Sequence, residues 1–275
     1  MTLVREKTGC VVQIGDIPIS LRTDDKKFLG LLRQRYAGFL SQSQPELELE
    51  FDLIDPSPVS DDDVRVRREG ALWVLERGDF HARWDPLTGC GRVRQTANPY
   101  ALDSVLRILH SLLLSARGGF LLHAASGICD GRAYLFSGVS GAGKTTLIRL
   151  APSDVTLLTD EISYVRPGPN GYSAYGTPFS GELAKAGENT NAPVSALFFL
   201  AKGPGNRVDE LAPAEAVRCL MRNILFFAEN NELVEKLLAT ACDFAQKVPV
   251  RTLTFYPDSR VWDDIRNFEA IPAHA

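Results

Sequence analysis

Gly138-Val139-Ser140-Gly141-Ala142-Gly143-Lys144-Thr145 matches the pattern G-x-x-x-x-G-K-[ST] at every position, and its reading decides the fold expected of this chain. The pattern has a mechanism. Glycines let the backbone fold around phosphates with N–H groups turned inward, the lysine reaches the β- and γ-phosphates, and the hydroxyl completes a Mg²⁺ shell. Gly138, Ser140, Gly141, Ala142, Gly143, Lys144, Thr145 and the following Thr146 are therefore the expected triphosphate-binding residues. On one side Ala133-Tyr134-Leu135-Phe136 reads as a short buried strand, and on the other Lys144 to Leu150 opens a helix whose N-terminal dipole favours an anion. A strand, a glycine-rich turn and a helix in this order separate the pattern from a chance glycine turn.

Downstream, the apolar run Thr156-Leu157-Leu158 ends in Thr159-Asp160-Glu161. Asp160 follows Lys144 by sixteen residues, room for about two helical turns, a loop and one strand, so the acid returns beside the loop. A carboxylate there, next to Thr145, is what a Mg²⁺ ligand requires. Thr145 and Asp160 are the expected metal-directed pair. Glu161, facing the γ-phosphate, could accept the proton of an attacking hydroxyl or water, although an acid at a strand end is often merely solvated. Upstream, His123 ends the apolar strand Phe120-Leu121-Leu122, the expected neighbour of the Ala133–Phe136 strand. Such a histidine is usually structural, yet this one could stand near the phosphates.

Working outward, the first hundred residues read as a separate, strand-rich α+β unit. Cys10–Leu21 alternates as a strand, Asp24–Leu40 carries apolar residues at helical spacing, and Leu47–Leu53 alternates strictly. Asp55–Asp63 reads as an exposed loop, with Asp61-Asp62-Asp63 a solvated run rather than a metal frame. Val64–Arg68, Ala71–Glu76, Phe80–Asp85 and Gly91–Gln95 follow as an antiparallel meander. The regime changes at Asn98-Pro99-Tyr100, where Leu102, Leu106, Leu109 and Leu113 begin a helical face. Asp130-Gly131 marks a hairpin, Tyr164–Val165 and Tyr172–Tyr175 a second one, Ala196–Leu200 a core strand, and Pro213–Lys247 mostly helices. The expected division is residues 1–98 and 99–275.

Composition sets the class. With 275 residues, 45% hydrophobic and 23% charged, the chain reads as an ordinary globular protein of one large or two modest domains. A net charge of -4 argues against a nucleic-acid partner, which would call for clustered excess Lys and Arg. Five cysteines (Cys10, Cys90, Cys129, Cys219, Cys242), an odd number without a C-x-x-C spacing, read as reduced thiols. No apolar run is long enough for a membrane span and the N-terminus lacks a signal-peptide pattern, so no membrane partner and a cytoplasmic location are expected.

Leu121-Leu122-His123, then Gly138–Thr145, then Leu157-Leu158-Thr159-Asp160-Glu161, in this order and at these spacings, resemble the catalytic domain of the HPr kinase/phosphorylase family. The nucleotide-binding core of that family is similar to that of phosphoenolpyruvate carboxykinases. The resemblance covers about residues 100 to 200, and Gly176-Thr177-Pro178-Phe179-Ser180-Gly181-Glu182 extends it toward HPr-kinase-related proteins. It implies an α/β P-loop kinase domain of the HPr kinase C-terminal type, preceded here by a smaller α+β strand-rich N-terminal domain. By resemblance Glu161 is the base, Asp160 supports Mg²⁺, His123 lies close to the reacting phosphate, and a homo-oligomer is one implied form. The family pattern has a second aspartate where this chain has Glu161, and glycine where it has Ala124.

The expected activity is ATP- and Mg²⁺-dependent transfer of the γ-phosphoryl to a hydroxyl of a protein, peptide or small molecule, with a serine of a protein or peptide the leading acceptor. Lys144, Asp160, Glu161 and His123 would be the catalytic set. The alternative is a nucleotide-binding accessory or switch protein whose first unit recognises a partner peptide. A carboxykinase acting on a small organic acid is a weaker third reading, because that chemistry needs a transition-metal site and several arginines around the acid, and only His123 and a few unplaced arginines are on offer. Lys202 and Arg251 are secondary candidates for stabilising transferred charge, against the commoner solvated strand-end cation.

Overall fold

The computed structural model describes residues 7–55 and 63–268. The chain is mixed α/β, built on two large sheets. It divides into two compact units: one runs to Leu112 and adds Phe226–Asn230, the other comprises Leu113–Leu225 and the chain from Asn231 onward.

In the first unit the single strand expected over Cys10–Leu21 is instead a hairpin, β1 (Thr8–Ile14) and β2 (Ile17–Thr23). Gly15 and Asp16 make the turn at φ 58° and 60°. Ile14 and Ile17 pair across this two-residue turn and both are buried, so the buried series Val12, Ile14, Ile17, Ile19 slips by one residue there. Helix α1 (Lys26–Arg35) starts where the Asp25 carboxylate accepts the Phe28 amide at 2.8 Å. It is shorter than the periodicity suggests, giving way to a 3₁₀ turn at Ala37–Phe39 and to β3 (Leu40–Ser41). Strand β4 (Leu47–Leu53) has the expected bounds.

The expected loop Asp55–Asp63 lies largely outside the described residues, Asp61 and Asp62 included. The meander forms as β5 (Arg65–Glu69), β6 (Leu72–Arg77), β7 (Phe80–Trp84) and β8 (Cys90–Gln95), all antiparallel. It joins the rest through two parallel pairings, β2 with β4 and β4 with β8, so the sheet is mixed, in the order β3-β1-β2-β4-β8-β7-β6-β5. Helix α2 (Pro99–Ala116) then buries the anticipated leucines Leu102, Leu106, Leu109 and Leu113. The expected division after Asn98 and the observed one thus differ by the length of α2 up to Leu112, and the later segment Phe226–Asn230 joins the first unit.

The second unit holds β9 (Phe120–Cys129), β10 (Arg132–Ser137), α3 (Lys144–Arg149), β11 (Thr156–Thr159), β12 (Ile162–Gly168), β13 (Gly171–Tyr175) and β14 (Asn191–Lys202). After these come β15 (Arg207–Glu210), α4 (Pro213–Asn223), β16 (Ile224–Leu225), α5 (Asn231–Lys247), β17 (Val250–Phe255) and α6 (Val261–Arg266). Strand β14 lies between β10 and β17 and is parallel to both, while β9 is antiparallel to β10 along one half and to β12 along the other. Around the parallel strands Phe136, Leu147, Phe198, Phe255 and Trp262 form a buried core. The Trp262 indole N–H donates to the Leu147 carbonyl at 3.0 Å, tying α6 to the end of α3. Among the described residues no helix is long and apolar enough to cross a membrane.

Candidate functional site

The glycine-rich segment leaves the C-terminal end of β10, the end where open α/β sheets gather ligands. Gly143 caps α3 in the left-handed region at φ 108°, and a Cβ there would lie 2.8 Å from the Phe255 ring. Only glycine fits at this position, so the loop lies directly on the core there. Lys144 opens α3 and turns back over the loop, donating from Nζ to the Gly138 carbonyl at 3.0 Å. The helix itself is short, six residues, and its Leu147 and Ile148 are buried in the core.

His123 lies within β9 rather than at a strand end, because β9 runs on to Cys129. This places it at a crossing of bonds. Ser137 Oγ, just before the loop, donates to the His123 carbonyl at 2.8 Å, and the next amide, Ala124 N–H, donates to the Glu161 carbonyl at 3.0 Å. Residues 123–124 therefore hold the start of the loop on one side and the start of β12 on the other.

Asp160 sits between β11 and β12 and is 4% exposed. Its two oxygens accept backbone N–H groups of the turn after β13: Oδ1 from Gly181 and Oδ2 from Leu183, each at 2.8 Å. Thr159 Oγ1 accepts from the amides of Glu161 and Ile162 at 3.2 and 3.1 Å, which fixes the chain bend that aims the two acids.

These pieces line one cavity of about 230 Å³. Of the residues expected from the sequence, His123, Ser140, Gly141, Gly143, Lys144, Thr145, Thr146, Asp160 and Glu161 line it. Gly138 and Ala142 instead support the loop from beneath, the first through the Lys144 bond and the second buried in the core. Lys202 and Arg251 are not among the lining residues: Lys202 is exposed at the end of β14, and Arg251 pairs with Glu210 at 3.3 Å near the start of β17. Two further lining residues, Gly181 and Glu182, belong to the stretch that extends the family resemblance, but no site role is read for them from the sequence. Their signal is the polar Ser180-Gly181-Glu182 run directly after the buried Pro178-Phe179.

The electrostatics follow from burial and neighbours. Burial lowers the Lys144 pKa from its usual value, and the charges of Glu161 and Glu182 oppose that shift. Burial, and then the Lys144 charge, lower that of His123, so its imidazole is neutral at pH 7. Among the described residues no group of three or more His, Cys, Asp or Glu side chains could hold a metal ion. The cavity thus offers one ammonium, a neutral imidazole, hydroxyls and three carboxylates to an incoming group. All five cysteines are free thiols, as their spacing suggests.

Compared with models of protein families, residues 101–269 match the one described as ScmC, SynChlorMet cassette protein ScmC, a span of more than half of the chain. No curated protein matches the chain.

Proposed function

This chain belongs to the SynChlorMet cassette protein ScmC family, and from its glycine-rich loop and the cavity that the loop lines we propose that it is an ATP-dependent phosphotransferase with a P-loop kinase domain of the HPr kinase type. The observation that carries the reading is the assembly of Lys144 from α3, His123 from β9, and Asp160 and Glu161 from the turn between β11 and β12 around the glycine-rich loop. The residues fit a Mg²⁺–triphosphate. Gly143 leaves a cradle that a Cβ would close against Phe255, and the Thr145 hydroxyl with the nearby carboxylates is the hard oxygen donor set that Mg²⁺ takes. One or two carboxylates suffice for such an ion, since phosphate oxygens and water fill the remaining positions. Asp160 can still contribute, because each of its oxygens keeps acceptor capacity beyond one backbone bond.

In this account the loop amides and Lys144 hold the phosphates, and Thr145 with Asp160 would hold the metal, which when bound neutralises charge on the β- and γ-oxygens. Glu161 orients the acceptor hydroxyl and takes its proton. His123, neutral and beside Lys144, presents a hydrogen bond to the phosphoryl oxygens without adding charge. The favoured acceptor is a hydroxyl, with a serine of a protein or peptide first among candidates, and the location proposed is the cytoplasm.

The test is incubation of the full chain with γ-labelled ATP, Mg²⁺ and a cell lysate, followed by identification of any labelled species. Label on a hydroxyl-bearing acceptor, lost in Lys144→Ala, is expected. Nucleotide binding without label on any acceptor would instead identify a nucleotide-dependent switch.

A further inference from the structure

The turn that follows β13 brings to the cavity a carboxylate for which the loop pattern gives no hint. Asp160 clamps this turn at two points, through the Gly181 and Leu183 amides at 2.8 Å each. Gly181 makes the approach feasible: a Cβ there would stand 2.9 Å from Glu161 Cβ and 3.1 Å from Asp160 Oδ2. Between the two clamped amides lies Glu182, which lines the cavity and whose charge is felt by Lys144. Lys144 is the one lysine or arginine among the described lining residues, and it faces three carboxylates. A bare polyphosphate entering such a rim meets net repulsion. A divalent cation between carboxylate and phosphate turns that repulsion into attraction.

Resting on the nucleotide reading above, we propose that Glu182 is a further residue of the triphosphate site, one that makes binding depend on a divalent cation, and that Asp160 is the positioning residue that holds it in place. Glu182 discriminates between free and metal-bound nucleotide. Asp160 acts on it through the backbone, so its effect on the turn exists before any ligand arrives.

Two measurements on the full chain test this. The first is ATP affinity by calorimetry in MgCl₂ and in EDTA. Wild-type protein is expected to favour the Mg²⁺ form strongly, and Glu182→Gln to shrink that ratio by about tenfold or more, chiefly by tighter binding in EDTA. The second is the rate of tryptic cleavage after Lys185, an exposed residue just past the clamped amides, in nucleotide-free protein. Asp160→Asn keeps only one carboxylate-like acceptor and should speed this cleavage several-fold at a temperature well below the variant's own Tm. Leu183→Pro, which removes one donor and leaves Asp160 intact, should do the same. If wild type binds ATP but Glu182→Gln leaves the Mg²⁺/EDTA ratio unchanged, the role of Glu182 is overturned while the nucleotide reading stands. Unaltered cleavage in both turn variants overturns the positioning role of Asp160. Absence of ATP binding by wild type under both conditions removes the nucleotide reading and with it the proposed role of Glu182.

Discussion

The Ala124 amide donates to the Glu161 carbonyl at 3.0 Å, which with the β9–β12 pairing sets His123, on β9, and Glu161, just ahead of β12, at the rim of a single cavity. Two side chains with acid–base chemistry are thereby registered by backbone alone. Either can be changed without disturbing the bond that aligns them.

Glu161→Gln should accordingly leave Mg-ATP affinity within a few-fold of wild type while lowering phosphoryl transfer by about 10²–10⁴-fold, the usual size of a general-base contribution. A base acts on the acceptor in the transition state and not on the bound nucleotide. Calorimetry and single-turnover transfer on the same preparation check the split. Equal losses in both, or full transfer without the carboxylate, would assign the base elsewhere, with His123 the first place to look.

The pH dependence is fixed by His123. Burial, followed by the Lys144 charge, places its pKa below the usual 6.5. The unfolded chain therefore binds this proton more readily than the folded one, so the stability contribution is complete above about pH 6.5 and is lost as pH falls. For function, kcat/KM should be level around pH 7 and drop in acid as the imidazole becomes charged beside Lys144. His123→Gln should lower the plateau and remove that acid limb. An unchanged limb in the variant would show that another group titrates there.

In the first unit, buried Asp103 accepts from Arg35 Nε at 3.0 Å and from the Tyr36 hydroxyl at 2.5 Å, with Arg35 Nη2 also donating to it. Removing the acid strands a guanidinium and a fully buried hydroxyl together. Asp103→Ala is expected to cost about 3–5 kcal/mol in urea denaturation and Tyr36→Phe about 1 kcal/mol. Burial also raises the Tyr36 pKa well above 10.0, so its share of stability is intact below about pH 10 and is lost as pH climbs through the raised value. A cost below about 1 kcal/mol for Asp103→Ala would mean that the network is solvated in solution.

The segments read correctly from sequence are those whose local chemistry settles their conformation. Leu47–Leu53 has one buried face, hence strict alternation, and the Ala133–Lys144 stretch combines an apolar strand with glycines that a tight loop requires. Strand β9 hid most of its length, because eight of its ten residues are buried on both faces and leave no period to read. The Gly15-Asp16 turn shows in the sequence only as a one-residue slip between Ile14 and Ile17, a slight break in an otherwise regular alternation. Glu182 stands in a stretch that the resemblance covers, yet its place at the cavity is not legible there. What brings it to the cavity is a pair of bonds from Asp160 to amides 21 and 23 residues away, and no local pattern encodes such a distance.

The central claim is that the loop ending in Lys144 binds a nucleoside triphosphate, and calorimetric titration of Mg-ATP into wild-type and Lys144→Ala protein tests it most directly. Lys144 is the single lysine or arginine among the described cavity-lining residues, so its loss should weaken binding by about tenfold or more, at ~1.4 kcal/mol per tenfold, with the variant still folded. Unchanged affinity in a folded Lys144→Ala protein, or no binding by the wild type, would contradict the account.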